Sequence, residues 1–177
     1  MKKVLILSSS PRKNGNSQKL CEAFQKGAEK SGHLVTLLRL AEKKIGYCQA
    51  CDACMKNNGI CILKDDMAEI LRSFQEADVL VLATPVYFYG ICAQLKTFID
   101  RTYPIWQHLG EKEVYYIISA GLGEDIIKRS IGDLDGFVEH LEKYQIKGRI
   151  YASHIMDAGE VCKTPWMDMA YQMGVQV

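Results

Sequence analysis

Residues 4–17, Val4-Leu5-Ile6-Leu7-Ser8-Ser9-Ser10-Pro11-Arg12-Lys13-Asn14-Gly15-Asn16-Ser17, pass from an unbroken apolar run into a hydroxyl-rich turn. The stretch that follows, Gln18 to Lys30, carries Leu20, Cys21, Phe24 and Ala28 on one helical stripe. Four apolar residues in succession suit a strand buried on both faces, and such strands belong to parallel sheets covered by helices. The turn between this strand and helix leaves backbone N–H groups unpaired at the helix start, where an anion can bind them. Ser8, Ser9, Ser10, Asn16 and Ser17 add side-chain donors, and the guanidinium of Arg12 is a fork suited to phosphate. An ordinary polar turn with Ser17 as helix cap has the same composition, so the rest of the chain must decide.

Four more runs rich in Val, Ile and Leu follow: Val35 to Leu40, Val79 to Ala83, Val114 to Ser119, and Arg149 to Ile155. Helical stripes lie between them. They are Met67, Ile70, Leu71 and Phe74, entered through Asp65 and Asp66; Leu95, Phe98, Ile99 and Thr102; and Ile127, Ile131, Leu134, Val138 and Leu141. A last short helix is expected from Thr164-Pro165 to Gly174. This alternation predicts an α/β fold with right-handed crossovers and a five-stranded parallel sheet of order 2-1-3-4-5, in one domain over residues 1–177. Ligands in such sheets sit beyond the C-terminal strand ends at the switch point, which selects three loops: Ser8 to Asn16, Thr84 to Gly90, and Ala120 to Asp125.

The second loop, Thr84-Pro85-Val86-Tyr87-Phe88-Tyr89-Gly90, has three adjacent aromatics that cannot all enter the core. It suits either a wall for a flat heteroaromatic ring or an aromatic cover over the sheet end. In the third, Ser119-Ala120-Gly121-Leu122-Gly123, small residues let backbone approach a ligand closely.

With 177 residues the chain can bury a sizeable core, and a net charge of +1 without a basic stripe argues against nucleic-acid or membrane-surface binding. No apolar run reaches membrane-spanning length and no signal-peptide pattern opens the chain, so a cytoplasmic protein is expected. His33, His108, His140 and His154 are scattered, and no catalytic side chain is assigned.

Residues 41–64 are too long for a mere connector. They hold Cys48-x2-Cys51-x2-Cys54-x6-Cys61, with Gly59 before the fourth cysteine. Three thiolates at that spacing can wrap a single centre. The run is closer to the first three cysteines of a ferredoxin cluster motif than to a zinc site, although the fourth comes late and is followed by Ile62 instead of proline. An iron-sulfur cluster, a zinc ion and free thiols are the three states open to it.

These motifs, with Lys64-Asp65-Asp66-Met67 and Leu95-Lys96-Thr97-Phe98-Ile99-Asp100-Arg101, make the chain resemble the NAD(P)H-dependent FMN reductases of the flavodoxin-like superfamily. Within that branch it is most similar to the iron-sulfur flavoproteins. The resemblance runs from residue 4 to about 120 and implies a flavodoxin-like three-layer sandwich, bound FMN, NAD(P)H as transient electron donor, and homodimers or homotetramers with interfaces near the flavin. It implies that Ser10, Arg12, Asn16 and Ser17 hold the FMN phosphate, with Ser8 also among the cofactor-binding residues. Pro85, Val86, Tyr87, Phe88 and Gly90 would then line the isoalloxazine, with Ser119 and Gly121 at its far edge. Cys48, Cys51, Cys54 and Cys61 match the metal motif of the iron-sulfur members, which carry a [4Fe-4S] cluster. Two activities follow: an oxidoreductase passing electrons from NAD(P)H to a flavin, quinone, nitro compound or other acceptor, or an electron-transfer protein exchanging electrons with a ferredoxin.

Overall fold

A computed structural model of the chain describes residues 1–141 and 143–177. Its centre is a sheet of parallel strands β1 (Lys3–Ser8), β2 (Leu34–Arg39), β3 (Val79–Tyr87), β5 (Lys112–Ser119) and β6 (Tyr144–Ala152), in the order β2-β1-β3-β5-β6. The two-residue strand β4 (Gly90–Ile91) pairs only with the end of β3, and antiparallel to it. Set aside that hairpin, and the order is the expected 2-1-3-4-5.

Successive strand residues point to opposite faces, so each strand feeds two cores. Leu5, Leu7, Leu80, Leu82, Val114, Tyr116 and Ile118 pack on one face against helices α3 (Met67–Glu76), α4 (Ala93–Asp100) and α5 (Ile127–Glu139). Val4, Ile6, Val79, Val81, Tyr115 and Ile117 pack on the other against α1 (Asn16–Lys30) and α6 (Trp166–Val175). The apolar stripes of the sequence are the inner faces of these helices, and the result is a three-layer sandwich.

Helices α1 and α6 meet backbone to backbone. A Cβ at Gly174 would lie 2.1 Å from the Phe24 carbonyl oxygen, and one at Gly27 would lie 2.1 Å from that of Tyr171. Only glycine at both positions permits this crossing. Lys112 buries its ammonium at the end of α3, donating to the carbonyls of Gln75 and Ala77.

Three boundaries differ from expectation. The last strand starts at Tyr144 instead of Arg149, because Gln145, Lys147 and Arg149 alternate outward on an edge strand and hide the period. A bulge opposite Val114 and Tyr115 lets Gly148 pass against the Tyr115 ring. The segment Thr84–Gly90 is not an open loop: β3 runs on to Tyr87 and a tight turn at Phe88-Tyr89 returns the chain through β4. Residues 41–64 contain a one-turn helix, α2 (Ala53–Lys56).

Candidate functional site

The turn after β1 lies at the switch point, since β1 pairs with both β2 and β3. Ser9 anchors it to β3, donating from both its N–H (3.1 Å) and its hydroxyl (2.6 Å) to the Ala83 carbonyl. Cys92, just before α4, completes the anchor: its thiol donates to Ser9 Oγ at 3.0 Å, and its N–H donates to Thr84 Oγ1 at 3.1 Å. Thr84 opens one of the three loops selected from the sequence, but nothing there marked Cys92, because a buried polar latch has no motif.

Helix α1 begins above this anchor. Its N-cap is Gly15, in extended conformation with no side-chain cap, so the first N–H groups of a 15-residue helix are left for another partner. Arg12 is exposed beside them and donates from Nη1 to the Met156 carbonyl at 3.3 Å. Ser10 Oγ accepts from the Arg12 N–H at 3.3 Å and shapes the turn.

Two of the side chains expected at the phosphate make their hydrogen bonds inward. Ser8 is fully buried, and its hydroxyl donates to Gln18 Oε1 at 2.5 Å beneath the helix start. Asn16 donates from Nδ2 to the carbonyls of Ile155 (3.1 Å) and Asp157 (2.9 Å) and accepts from the Val161 N–H (3.1 Å). Both side chains are engaged inside the protein, and at the helix start Asn16 contributes a backbone N–H that no side chain caps. Asn16 instead clasps a fourth loop, residues 153–161, which no motif announced. Glu160 holds that loop by accepting from the Met156 and Asp157 N–H groups at 2.8 and 3.0 Å.

Ser17 and Ser119 join the first loop to the third, their hydroxyls 2.7 Å apart. Gly121 lies under the Met156 thioether, which a Cβ there would meet at 2.7 Å. The hairpin supplies the remaining wall. Pro85 is buried and Val86 half-buried, whereas Tyr87, Phe88 and Tyr89 are exposed, Phe88 wholly so at 102%. Phe88 and Tyr89 both adopt left-handed backbone, at φ 47° and 67°, in a two-residue turn where asparagine and glycine are normally preferred. Bulky residues there cost about 1–2 kcal/mol each. Strain of this kind is characteristic of functional sites. Arg129 stacks over the Tyr89 ring at 5.4 Å, and Asp133 accepts from the Ile91 N–H at 3.3 Å, bracing the hairpin from α5.

The cysteine segment forms a separate centre. Cys48, Cys51, Cys54 and Cys61 line a single pocket together with Ile62, Leu63, Arg101, Tyr103 and Pro104. Left-handed backbone at Ala50 and Asp52 brackets Cys51 and folds the chain back on itself. At Gly59 φ is 77° and a Cβ would strike the Pro104 oxygen at 2.8 Å, so only glycine closes the turn before Cys61. Among the described residues no three His, Cys, Asp or Glu side chains meet closely enough to hold a single metal ion. The four thiols are set around the walls of the pocket instead.

Arg101 underpins this segment. It is 2% exposed, and its guanidinium makes a fork with Asp65 at 2.8 and 3.0 Å while donating to the Gly46 carbonyl at 2.6 Å. Its Nη2 also reaches Cys61 Sγ at 3.7 Å. Asp65 further accepts from the N–H groups of Gly46 (2.8 Å) and Met67 (3.1 Å), and Asp66 from that of Lys44 (2.7 Å). The two acids therefore tie both ends of the cysteine segment to the start of α3. Partial burial works against ionisation of Asp65, but Arg101 and the two N–H donors outweigh it and hold the carboxyl below its usual range.

A family model for NADPH-dependent FMN reductases matches residues 2–152. The chain belongs to that family. Among curated proteins, an iron-sulfur flavoprotein of Archaeoglobus fulgidus is 42% identical over 127 residues, 70% of this chain and 57% of the relative. Another, from Methanocaldococcus jannaschii, is 39% identical over 103 residues, 58% of this chain and 53% of that protein. The chain thus spans about half the length of the curated relatives it matches. Among solved structures, an NAD(P)H:quinone oxidoreductase from Methanothermobacter marburgensis has a TM-score of 0.74 at 19% identity, over 99% of this chain and 96% of that one. An azoreductase from Bacillus anthracis has a TM-score of 0.75 at 16% identity over 100% of both chains. Together they establish the flavodoxin-like fold.

Proposed function

We propose that this family member is an FMN-dependent oxidoreductase that takes electrons from NAD(P)H and delivers them to a quinone, flavin, nitro compound or similar acceptor. The uncapped N-terminus of α1, with Arg12 beside it, is the observation that carries the reading. It offers oriented N–H donors and a guanidinium at the sheet's switch point, as a phosphate monoester requires. The hairpin at Pro85–Gly90 and the Ser119–Gly121 turn flank that position and suit a flat ring, with Ser17 as the joint between loops. FMN bound there would supply the hydride and electron chemistry. The chain's own part is to grip the phosphate, present backbone donors to the ring edge and keep one ring face open to a nicotinamide. No separate dinucleotide-binding fingerprint occurs in the sequence, so NAD(P)H would approach the flavin only transiently.

Arg12→Ala tests the phosphate site. One charge-assisted hydrogen bond is worth about 1.5–3 kcal/mol, so FMN affinity should fall roughly 10- to 100-fold. Stability should change by less than about 0.5 kcal/mol, because Arg12 is exposed. Parallel losses of affinity and stability would show that Arg12 serves the fold instead. Protein that takes up no FMN on supplementation, and so lacks flavin absorption, would refute the whole reading.

The second reading is an electron-transfer flavoprotein, favoured by the four thiols on one pocket. Their chemistry fits an iron-sulfur group: four cysteine sulfurs line one pocket, and the first three have the compact C-x2-C-x2-C spacing of a ferredoxin run. Cys48, Cys51, Cys54 and Cys61 would hold a [4Fe-4S] cluster, a one-electron carrier, in this apolar surround. A cleft of about 670 Å³ between α4 and α5, lined by Lys96, Tyr103, Trp106 and Phe137, opens beside Cys48 and gives an acceptor a seat near the pocket. The partner would be a ferredoxin. If NAD(P)H alone fails to bleach the flavin under anaerobic conditions while reduced ferredoxin succeeds, the second reading replaces the first. A cytoplasmic homodimer or homotetramer completes the proposal; no helix among the described residues is long and apolar enough to cross a membrane.

A further inference from the structure

We infer that Arg101 sets the electron affinity of the cysteine pocket, acting as a positioning residue that presents a fixed positive charge and a hydrogen bond to the Cys61 sulfur. This rests on the reading of the four cysteines as cluster ligands. The geometry is unusual for an arginine. The side chain is buried, lines the pocket that all four cysteines line, and turns Nη2 toward Cys61 Sγ at 3.7 Å. Its fork with Asp65 and its bond to the Gly46 carbonyl stop the guanidinium from swinging away. The Nε has no partner among the described residues, so the group is desolvated without being fully satisfied. A buried cation held this way costs solvation and is maintained only by its surroundings.

What the arrangement does follows from charge. Four thiolates bring negative charge into one pocket, and each electron accepted there adds one more. A positive group in contact with a ligating sulfur stabilises the more negative state, and a hydrogen bond to that sulfur acts in the same direction. Asp65 opposes it with a negative charge: it accepts from both Nη1 and Nη2, and Nη2 is the nitrogen that also reaches Cys61. The two partners should therefore move the potential in opposite senses, although both support the same segment.

The test uses the full chain, reconstituted anaerobically with iron and sulfide and titrated potentiometrically by electron paramagnetic resonance. Arg101→Gln should lower the ratio of reduced to oxidised cluster at a fixed potential about tenfold, equivalent to about 59 mV for a one-electron couple. Asp65→Asn should raise that ratio. Arg101→Lys, which keeps the charge and loses the fork, should stay within about threefold of wild type. Opposite shifts in the first two variants support the inference. Shifts in the same direction, or none, in variants that hold wild-type iron would overturn it and leave the cluster reading standing. If Arg101→Gln retains no iron, the decision passes to the other two variants, and a tenfold loss in Arg101→Lys or no rise in Asp65→Asn overturns the inference. Wild-type protein that takes up no iron would overturn the cluster reading and this inference together, while flavin binding reports independently that the protein is folded.

Discussion

Cys21 and Cys48 are chemically the same group in very different surroundings. Cys21 lies on the inner face of α1 with no exposure, and burial pushes its thiol up to about 12, so it stays protonated and unreactive. Cys48, Cys51 and Cys162 are exposed. Brief alkylation of the metal-free native protein should therefore modify those three, while Cys21 and Cys92 react only after unfolding; peptide mass spectrometry reads the sites. After reconstitution with iron and sulfide, Cys48 and Cys51 should be protected and Cys162 should still react. Cys162 thus serves as the internal control for general loss of reactivity. In the sequence all seven cysteines look alike apart from their spacing. Spacing identified the four that share a pocket, but not that Cys92 would latch the first turn to the base of the hairpin.

At the scale of elements, the hairpin and the crossing of α1 with α6 are two places where local preference is overridden. Phe88 has left-handed backbone and touches solvent on all sides, so Phe88→Asn should relieve strain without losing packing. A gain of about 1 kcal/mol in urea unfolding is expected, at the cost of any ring contact that Phe88 makes with a flavin. No gain would mean that the turn has another way to accommodate the phenylalanine. Gly174→Ala should do the reverse. With a Cβ 2.1 Å from the Phe24 oxygen the helices must separate, and a loss of about 1–3 kcal/mol is expected from the same measurement. A neutral outcome would show that α6 can slide. Periodicity revealed that these helices exist and which faces they bury. How close they come depends on which glycines face each other, and that is a property of the pair.

Across the whole molecule, a layered sandwich carries a cysteine segment tied on by a few polar bonds. Asp65 is central to that tie, and its carboxyl titrates below the usual range. A carboxylate whose folded pKa is depressed contributes stability at pH above its unfolded value, about 3.9, and loses that contribution as pH falls through the folded value. Acidification below about pH 4 should therefore loosen residues 44–66 before the sheet unfolds. Hydrogen exchange or limited proteolysis between pH 5 and 3 would detect it, and Asp65→Asn should flatten the dependence. Simultaneous loosening of the β strands would refute the order.

The sequence by itself determined the layered α/β class, the strand order and the three loops at the switch point. Each of these follows from runs and periods of apolar residues, which are local along the chain and dominate burial. It also marked the four cysteines, because ligand spacing is local too. Tertiary structure alone decided which polar side chains remain free. Ser8 and Asn16 were committed to partners that include carbonyls about 140 residues away, whereas Arg12 was left exposed. It likewise brought Arg101 from the end of α4 to Cys61, 40 residues earlier in the chain. Hydrogen bonds and ion pairs between distant residues leave no periodic trace, so their outcome becomes visible only once the sheet has brought the loops together.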